Sequence, residues 1–171
     1  MTGEAGVGVR KMSKTLEKAI GDHLRKRKWT LSIAESCTGG LICDRITDIP
    51  GSSGYFMGGM VTYSNESKTE LLGIPEAYLK RFGAVSPQVA RKMAQEVRKA
   101  FNTTFGLSTT GIAGPTGGTK EKPVGLVYIG LVDGKKAFVR KENLKGSRRE
   151  IKKKAAHQGL RFLYDYLSKP R

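Results

Sequence analysis

Histidine and cysteine are scarce in this chain of 171 residues, which contains two of each. A triad built on histidine needs one beside its nucleophile, but His23 and His157 fall in strongly basic terminal segments. Cys37 and Cys43 are too few for a zinc quartet or a disulfide framework, so we expect reduced thiols and no metal site. The composition therefore favours neither a histidine-based hydrolase nor a zinc protein.

Long apolar runs are absent as well. No run reaches the roughly 18 residues that a membrane-spanning helix needs, and the first residues contain no apolar segment typical of a secretory signal. We therefore expect a cytoplasmic protein that does not enter a membrane. A frayed, glycine-rich segment over residues 1–9 is predicted to precede a single domain over residues 10–171.

Acidic residues are few: the chain has 15 Asp and Glu and 31 Lys and Arg, which gives a net charge of +16. The excess lies in residues 10–28 and 135–171, so the rest of the chain is close to neutral. We interpret these segments as solvated helix faces, with an accessory affinity for polyanions as the alternative. Because no aromatic residues alternate with the cations as in a base-stacking surface, nucleic acid is the less favoured partner.

The apolar pattern changes repeatedly between helical and strand periodicity. Asp133-Gly134 predicts a hairpin, and its antiparallel strands make the sheet mixed. We therefore predict an α/β fold, a single-domain three-layer α/β/α sandwich with a mixed sheet. The predicted helices are 12–27, 40–47, 64–72, 75–81, 87–101 (with Ser86 as N-cap) and 147–167, and the predicted strands are 29–34, 60–63, 104–109, 124–132 and 136–143.

Two segments of the chain are polar and rich in glycine, and each directly follows an apolar run. They are residues 34–40 and 109–118. Hydroxyls and free N–H groups at the ends of strands are suited to hold an anion or to attack a carbonyl. Two such segments predict a small-molecule site at one edge of the sheet. The second segment matches neither the P-loop nor the dinucleotide-binding pattern.

Ser36 lies between a predicted strand and a predicted helix, where its Oγ can project while the N–H groups of residues 37–40 stay free. It is a candidate nucleophile or part of an anion cradle, and an ordinary helix N-cap is the alternative. Cys37 is the rival nucleophile, if a helix N-terminus acidifies its thiol. Tyr63 and Lys68 are the candidate bases, provided that desolvation lowers the pKa of the lysine. Their alternatives are a strand aromatic and a solvated lysine.

Taken together, these segments resemble the CinA C-terminal-domain family over residues 12–167. The resemblance implies hydrolysis of the carboxamide of nicotinamide mononucleotide to nicotinate mononucleotide and ammonia, a step of pyridine nucleotide salvage, with no cofactor. The motifs that carry it are residues 34–40 (Ala-Glu-Ser-Cys-Thr-Gly-Gly), 46–53, 61–68 (Val-Thr-Tyr-Ser-Asn-Glu-Ser-Lys), 83–86, 111–118 and 122–125.

The resemblance also implies roles for individual residues. Ser36 is the nucleophile, and Lys68 with Tyr63 moves the proton. Arg148, which by position alone is more often a surface arginine, binds the 5′-phosphate together with one of the two glycine-rich segments. Which segment does so is left open. The remaining expected substrate-binding residues, through hydroxyls or backbone N–H groups, are Cys37, Thr38, Gly39, Gly40, Thr110 and Gly111.

Two other functions remain open at the sequence level. The first is a catalytically silent module that binds a pyridine nucleotide or a related phosphate. The second is a competence- or damage-related protein associated with nucleic acid through its basic termini. For the assembly we expect a homodimer, on general grounds alone.

Overall fold

The computed structural model describes residues 15–134 and 136–170, which form six α-helices and one five-stranded sheet. The predicted frayed segment 1–9 lies outside the described residues. The helices are α1 (Leu16–Arg27), α2 (Leu41–Thr47), α3 (Asn65–Leu72), α4 (Glu76–Phe82), α5 (Pro87–Phe101) and α6 (Arg148–Leu167). The strands are β1 (Leu31–Glu35), β2 (Phe56–Val61), β3 (Phe105–Gly111), β4 (Leu126–Asp133) and β5 (Lys136–Asn143).

The sheet has the order β2-β1-β3-β4-β5 and is mixed. Strand β1 runs parallel to both β2 and β3, whereas β4 and β5 form an antiparallel hairpin beside β3. The predicted mixed sheet and α/β class are confirmed. Because β1, β2 and β3 are parallel, their carboxyl ends meet at one edge of the sheet, where ligand sites of open α/β sheets lie.

Helices cover both faces of the sheet, as predicted for a three-layer sandwich. The main core lies between the sheet and α1, α2 and α6, and a smaller core lies between the sheet and α3, α4 and α5. Helix α5 approaches very closely, since a Cβ at Gly106 would lie 2.0 Å from the carbonyl oxygen of Ala94. Within the described residues, no helix combines the length and apolarity that crossing a membrane requires.

One predicted boundary was wrong for an identifiable reason, and another lies partly outside the described residues. Helix α1 is described from Leu16, where the hydroxyl of Thr15 accepts the N–H of Lys18 as an N-cap. The predicted helical residues 12–14 lie outside the described residues. Strand β2 occupies 56–61 and not 60–63, because Gly58 and Gly59 interrupt the β-prone pattern. A Cβ at Gly58 would lie 2.3 Å from the ring of Phe101, so helix packing explains the glycine.

Candidate active site

The predicted site residues follow the carboxyl ends of the three parallel strands. Ser36 comes directly after β1, Thr110 and Gly111 end β3, and residues 62–68 follow β2. The N–H of Ser36 donates to the carbonyl oxygen of Thr109 at 3.0 Å and extends the β1–β3 ladder by one residue. The sheet therefore fixes the backbone of Ser36 beside the end of β3.

Lys68 points from α3 back towards Ser36. Its Nζ lies 3.1 Å from the Oγ of Ser36 and 2.8 Å from the carbonyl oxygen of Thr62. The side chain is only 1% exposed. Ser64 and Ser67 cap α3 reciprocally, which fixes the first turn of the helix and hence the direction of Lys68. The structure thus brings the predicted nucleophile and the predicted base into contact.

Burial lowers the pKa of the Lys68 amine from its ordinary 10.5 to about 8. The further partners of Nζ are backbone carbonyl oxygens, those of Tyr63 and Ser64 each lying 3.4 Å away. A neutral amine can donate two hydrogens to such oxygens and keep its lone pair for the Ser36 hydroxyl. The arrangement is therefore suited to general-base chemistry near neutral pH.

Glu35 organises the turn that follows Ser36. Its buried carboxylate accepts the N–H groups of Gly40 at 3.0 Å, Ile42 at 3.2 Å and Cys43 at 2.8 Å. The N–H of Gly39 donates to the carbonyl oxygen of Ser36 at 3.1 Å. The expectation that all four N–H groups of residues 37–40 stay free is therefore wrong for Gly39 and Gly40, because a side chain and a tight turn already use them.

A cavity of about 210 Å³ adjoins the Ser36 hydroxyl. Among the described residues, the Cys37 N–H donates to no backbone carbonyl oxygen. The N–H of Ile112 donates to Leu126 on β4, so strand alternation directs the N–H of Gly111 to the opposite side, towards Ser36. These two N–H groups are the candidate donors to a developing oxyanion. The cavity is lined by residues 36, 37, 63, 65, 68, 84, 85, 110, 111 and 113.

Cys37 is a poor rival to Ser36 as a nucleophile. Its side chain is 5% exposed and packs in the main core. Burial raises the pKa of the Cys37 thiol to about 12, so the thiol stays protonated at neutral pH. The acidification considered from the sequence does not occur.

The two predicted threonines have internal partners. Thr38 and Thr109 are buried and share a hydrogen bond of 2.7 Å between their hydroxyls. The hydroxyl of Thr110 donates to the carbonyl oxygen of Ala84 at 2.7 Å and lines the Ser36 cavity. Thr110 can still accept a hydrogen bond from a ligand, whereas the hydroxyl of Thr38 serves to join the loop to β3.

Tyr63 and Arg148 meet above the cavity. Nη2 of Arg148 donates to the Tyr63 hydroxyl at 2.5 Å, and Nη1 donates to the carbonyl oxygen of Gly114 at 2.7 Å. The side chain of Tyr63 is 56% exposed and so points away from the buried Lys68. The predicted lysine–tyrosine pair is therefore not formed through the phenol, because Tyr63 contributes only its carbonyl oxygen to Lys68.

A basic cleft of about 670 Å³ lies beyond Arg148. Residues 38–41 form one side of it, and the first turns of α6 form the other with Arg148, Arg149, Lys152 and Lys153. Within the part of the chain that the structure describes, none of these four cations forms an ion pair. Gly39 and Gly40 therefore line this cleft and not the Ser36 cavity.

Comparison with known proteins supports the resemblance seen in the sequence. The family model for the CinA C-terminal domain matches residues 13–167. This chain belongs to that family. A CinA-like protein of Syntrophus aciditrophicus is 53% identical over 155 residues, covering 90% of this chain and 37% of the relative. The chain thus spans a little over a third of the curated relatives it matches.

Solved structures share the fold of this CinA-family chain. The competence/damage inducible protein CihA from Agrobacterium tumefaciens is 36% identical, with a TM-score of 0.86 over 90% of this chain and 94% of that one. A competence or damage-inducible protein from Enterobacter asburiae is 28% identical, with a TM-score of 0.85 over 91% of this chain and 100% of that one. Their names refer to competence and damage and state no substrate.

Two residues at the site of this CinA-family member were not predicted from its sequence. Glu35 lies in the segment 34–40, and the available signal was an acidic residue directly after a predicted strand and shortly before a predicted helix. Asn65 lines the Ser36 cavity from the first position of α3, three residues before Lys68. Its helical spacing from Lys68 could have identified it. In the described residues, no three His, Cys, Asp or Glu side chains converge in a metal-binding cluster.

Proposed function

We propose that this chain is a nicotinamide-nucleotide amidohydrolase that converts nicotinamide mononucleotide to nicotinate mononucleotide and ammonia. The observation that carries the proposal is the 3.1 Å contact between the buried amine of Lys68 and the Ser36 Oγ. This pair supplies a nucleophile and a base without histidine. The substrate class comes from the family resemblance.

In the first half of the reaction, neutral Lys68 takes the proton of Ser36 while Oγ attacks the amide carbon. The carbonyl oxygen becomes an oxyanion, which the N–H groups of Cys37 and Gly111 stabilise. When the tetrahedral intermediate collapses, the C–N bond breaks and the Lys68 ammonium returns its proton to the leaving nitrogen. The products are an acyl-serine ester and ammonia.

In the second half, water replaces ammonia in the cavity. Lys68, again neutral, takes a proton from that water as its oxygen attacks the ester carbon. The second intermediate collapses with cleavage of the bond to Oγ, and Lys68 gives its proton back to Ser36. Nicotinate mononucleotide leaves, and both side chains are restored to their starting state.

The dimensions of the site are consistent with this substrate. The 210 Å³ cavity can take a flat aromatic ring but is smaller than the roughly 300–1,000 Å³ of sites that enclose a whole ligand. The rest of the nucleotide must therefore extend past Tyr63 towards Arg148. The Arg148 guanidinium is suited to a bidentate contact with the 5′-phosphate.

Ammonia release from nicotinamide mononucleotide, with free nicotinamide as the control substrate, tests the proposal. We expect release by the wild type from the mononucleotide only, and loss of at least a thousandfold in Ser36→Ala and Lys68→Met. Cys37→Ala tests the rival nucleophile: it removes the buried thiol and keeps the backbone N–H that the proposed oxyanion site uses, so it should retain activity.

Three results would contradict the proposal. Equal release by Ser36→Ala would assign the nucleophile elsewhere. Loss of activity in Cys37→Ala, in a folded sample, would point to the thiol. No release from a folded wild type that still binds the mononucleotide would instead favour the silent binding module.

A further inference from the structure

The basic cleft is larger and more cationic than one phosphate requires. It adjoins the Ser36 cavity where Arg148 meets Tyr63, and its volume of about 670 Å³ exceeds that of the cavity itself. A phosphate monoester carries about two negative charges and fills only a small part of such a volume. A ligand that ends at its 5′-phosphate therefore leaves most of the cleft unused.

The positions of the four cations that line this cleft destabilise α6. Arg148 and Arg149 occupy the first turn, where the helix dipole favours anions, and Lys152 and Lys153 repeat the charge four residues later. Like charges at this spacing repel. Among the described residues that line the cleft, Asp44 alone is acidic. Such an excess of positive charge is offset when an anion binds.

The second pair of cations also lies against the loop that follows Ser36. A Cβ at Gly39 would lie 3.4 Å from the Nζ of Lys152, and Gly39 has a φ of +64°. Along the helix, Lys152 lies about 6 Å from Arg148, roughly the rise of one turn. The cationic row is therefore long enough for two successive phosphates, the first at Arg148 and the second at Lys152 and Lys153.

We propose that this cleft is a subsite for a second phosphate group, so that nucleotides carrying a pyrophosphate bind more tightly than their monophosphate counterparts. This second-phosphate site rests on the proposed function only for the orientation of the bound nucleotide. In that orientation the aromatic ring lies in the Ser36 cavity and the first phosphate lies at Arg148. Two ligand classes share this chemistry: nucleoside diphosphates and dinucleotides with an internal pyrophosphate.

The experiment is calorimetric titration of the full chain, at fixed ionic strength, with ADP and with AMP. We expect the wild type to bind ADP at least tenfold more tightly, and Lys152→Gln/Lys153→Gln to bring the two affinities within twofold. Lys136→Gln/Lys141→Gln on β5 removes the same charge outside the cleft and should preserve the preference. Titration of Ser36→Ala with nicotinamide mononucleotide and with NAD⁺ distinguishes the dinucleotide class from the diphosphate class.

Comparable affinities for ADP and AMP in the wild type would overturn the proposal, as would loss of the preference in both double variants. Displacement of ADP by duplex DNA that binds more tightly through the same two lysines would assign the cleft to nucleic acid instead. Because ADP has no carboxamide that could be hydrolysed, the comparison of ADP with AMP does not depend on catalytic turnover. An ADP preference without ammonia release would refute the proposed function alone.

Discussion

The activity of this chain should depend on pH through the amine of Lys68. A lysine with its ordinary pKa of 10.5 is neutral in only about 3 molecules of 10,000 at pH 7. With its pKa lowered to about 8 by burial, roughly one molecule in ten carries the neutral amine. Burial thus increases the competent fraction about 300-fold.

We therefore expect kcat/KM for ammonia release to rise about tenfold per pH unit below 7 and to level off above about 8, since a single proton must leave the base. The assay is initial ammonia release between pH 6 and 9.5, with KM and kcat separated. A profile that is flat over this range, or that still rises at pH 9.5, would refute the assignment of Lys68 as the base.

Asn65→Asp provides a second test, because it should raise the pKa of the Lys68 amine. Asn65 lines the same cavity and lies three residues before Lys68 on α3, so the new carboxylate faces the amine. An opposite charge at such a distance favours the ammonium, and we expect the midpoint of the profile to rise by roughly one pH unit. Asn65→Gln adds no charge and should leave the midpoint unchanged.

Three further predictions concern stability and reactivity. Lys68→Met should raise the free energy of unfolding at pH 7 by about 2 kcal/mol. The lowered pKa disfavours the fold below pH 8 and ceases to do so as the pH rises to 10.5, so denaturant titrations should show wild type and variant converging over that range. Glu35→Gln should lower thermal stability and speed hydrogen exchange at residues 40–43, since charge-assisted bonds worth about 2 kcal/mol weaken. Cys37 should resist iodoacetamide at pH 8 until the chain unfolds, and rapid labelling of folded protein would contradict its burial.

Much of the fold could be predicted because the sequence patterns are local. Apolar periodicity predicted all six described helices, and the Asp133-Gly134 turn predicted the β4–β5 hairpin and hence the mixed sheet. Strand β2 was misplaced because its two central glycines reflect contacts with Phe101 and Cys43, which are distant in sequence. A periodicity argument has no access to such contacts.

The candidate site was predictable in its residues but not in its connections. Strand ends and hydroxyls identified Ser36, and its partner Lys68 followed from a process of elimination among bases. The sequence could not show that the Glu35 carboxylate accepts a hydrogen bond from the N–H of Gly40. Nor could it show that the Tyr63 side chain points outward and accepts a hydrogen bond from Arg148. Such partners depend on which side of each strand end a group faces, and that is decided by packing. The expected homodimer stays a prediction, testable by light scattering.

The choice of partners around Lys68 explains how a buried lysine can serve as a base. Elsewhere in the chain, Lys80 and Lys92 form ion pairs with the carboxylates of Glu76 and Glu96. Lys68 is instead held by backbone carbonyl oxygens and the Ser36 hydroxyl, neutral groups that orient the amine without fixing its charge. A carboxylate in that position would bind the ammonium more tightly and remove the base at neutral pH. By the same reasoning, an aspartate in place of Asn65 lowers the neutral fraction of Lys68 at neutral pH, whereas the amide of Asn65 carries no charge.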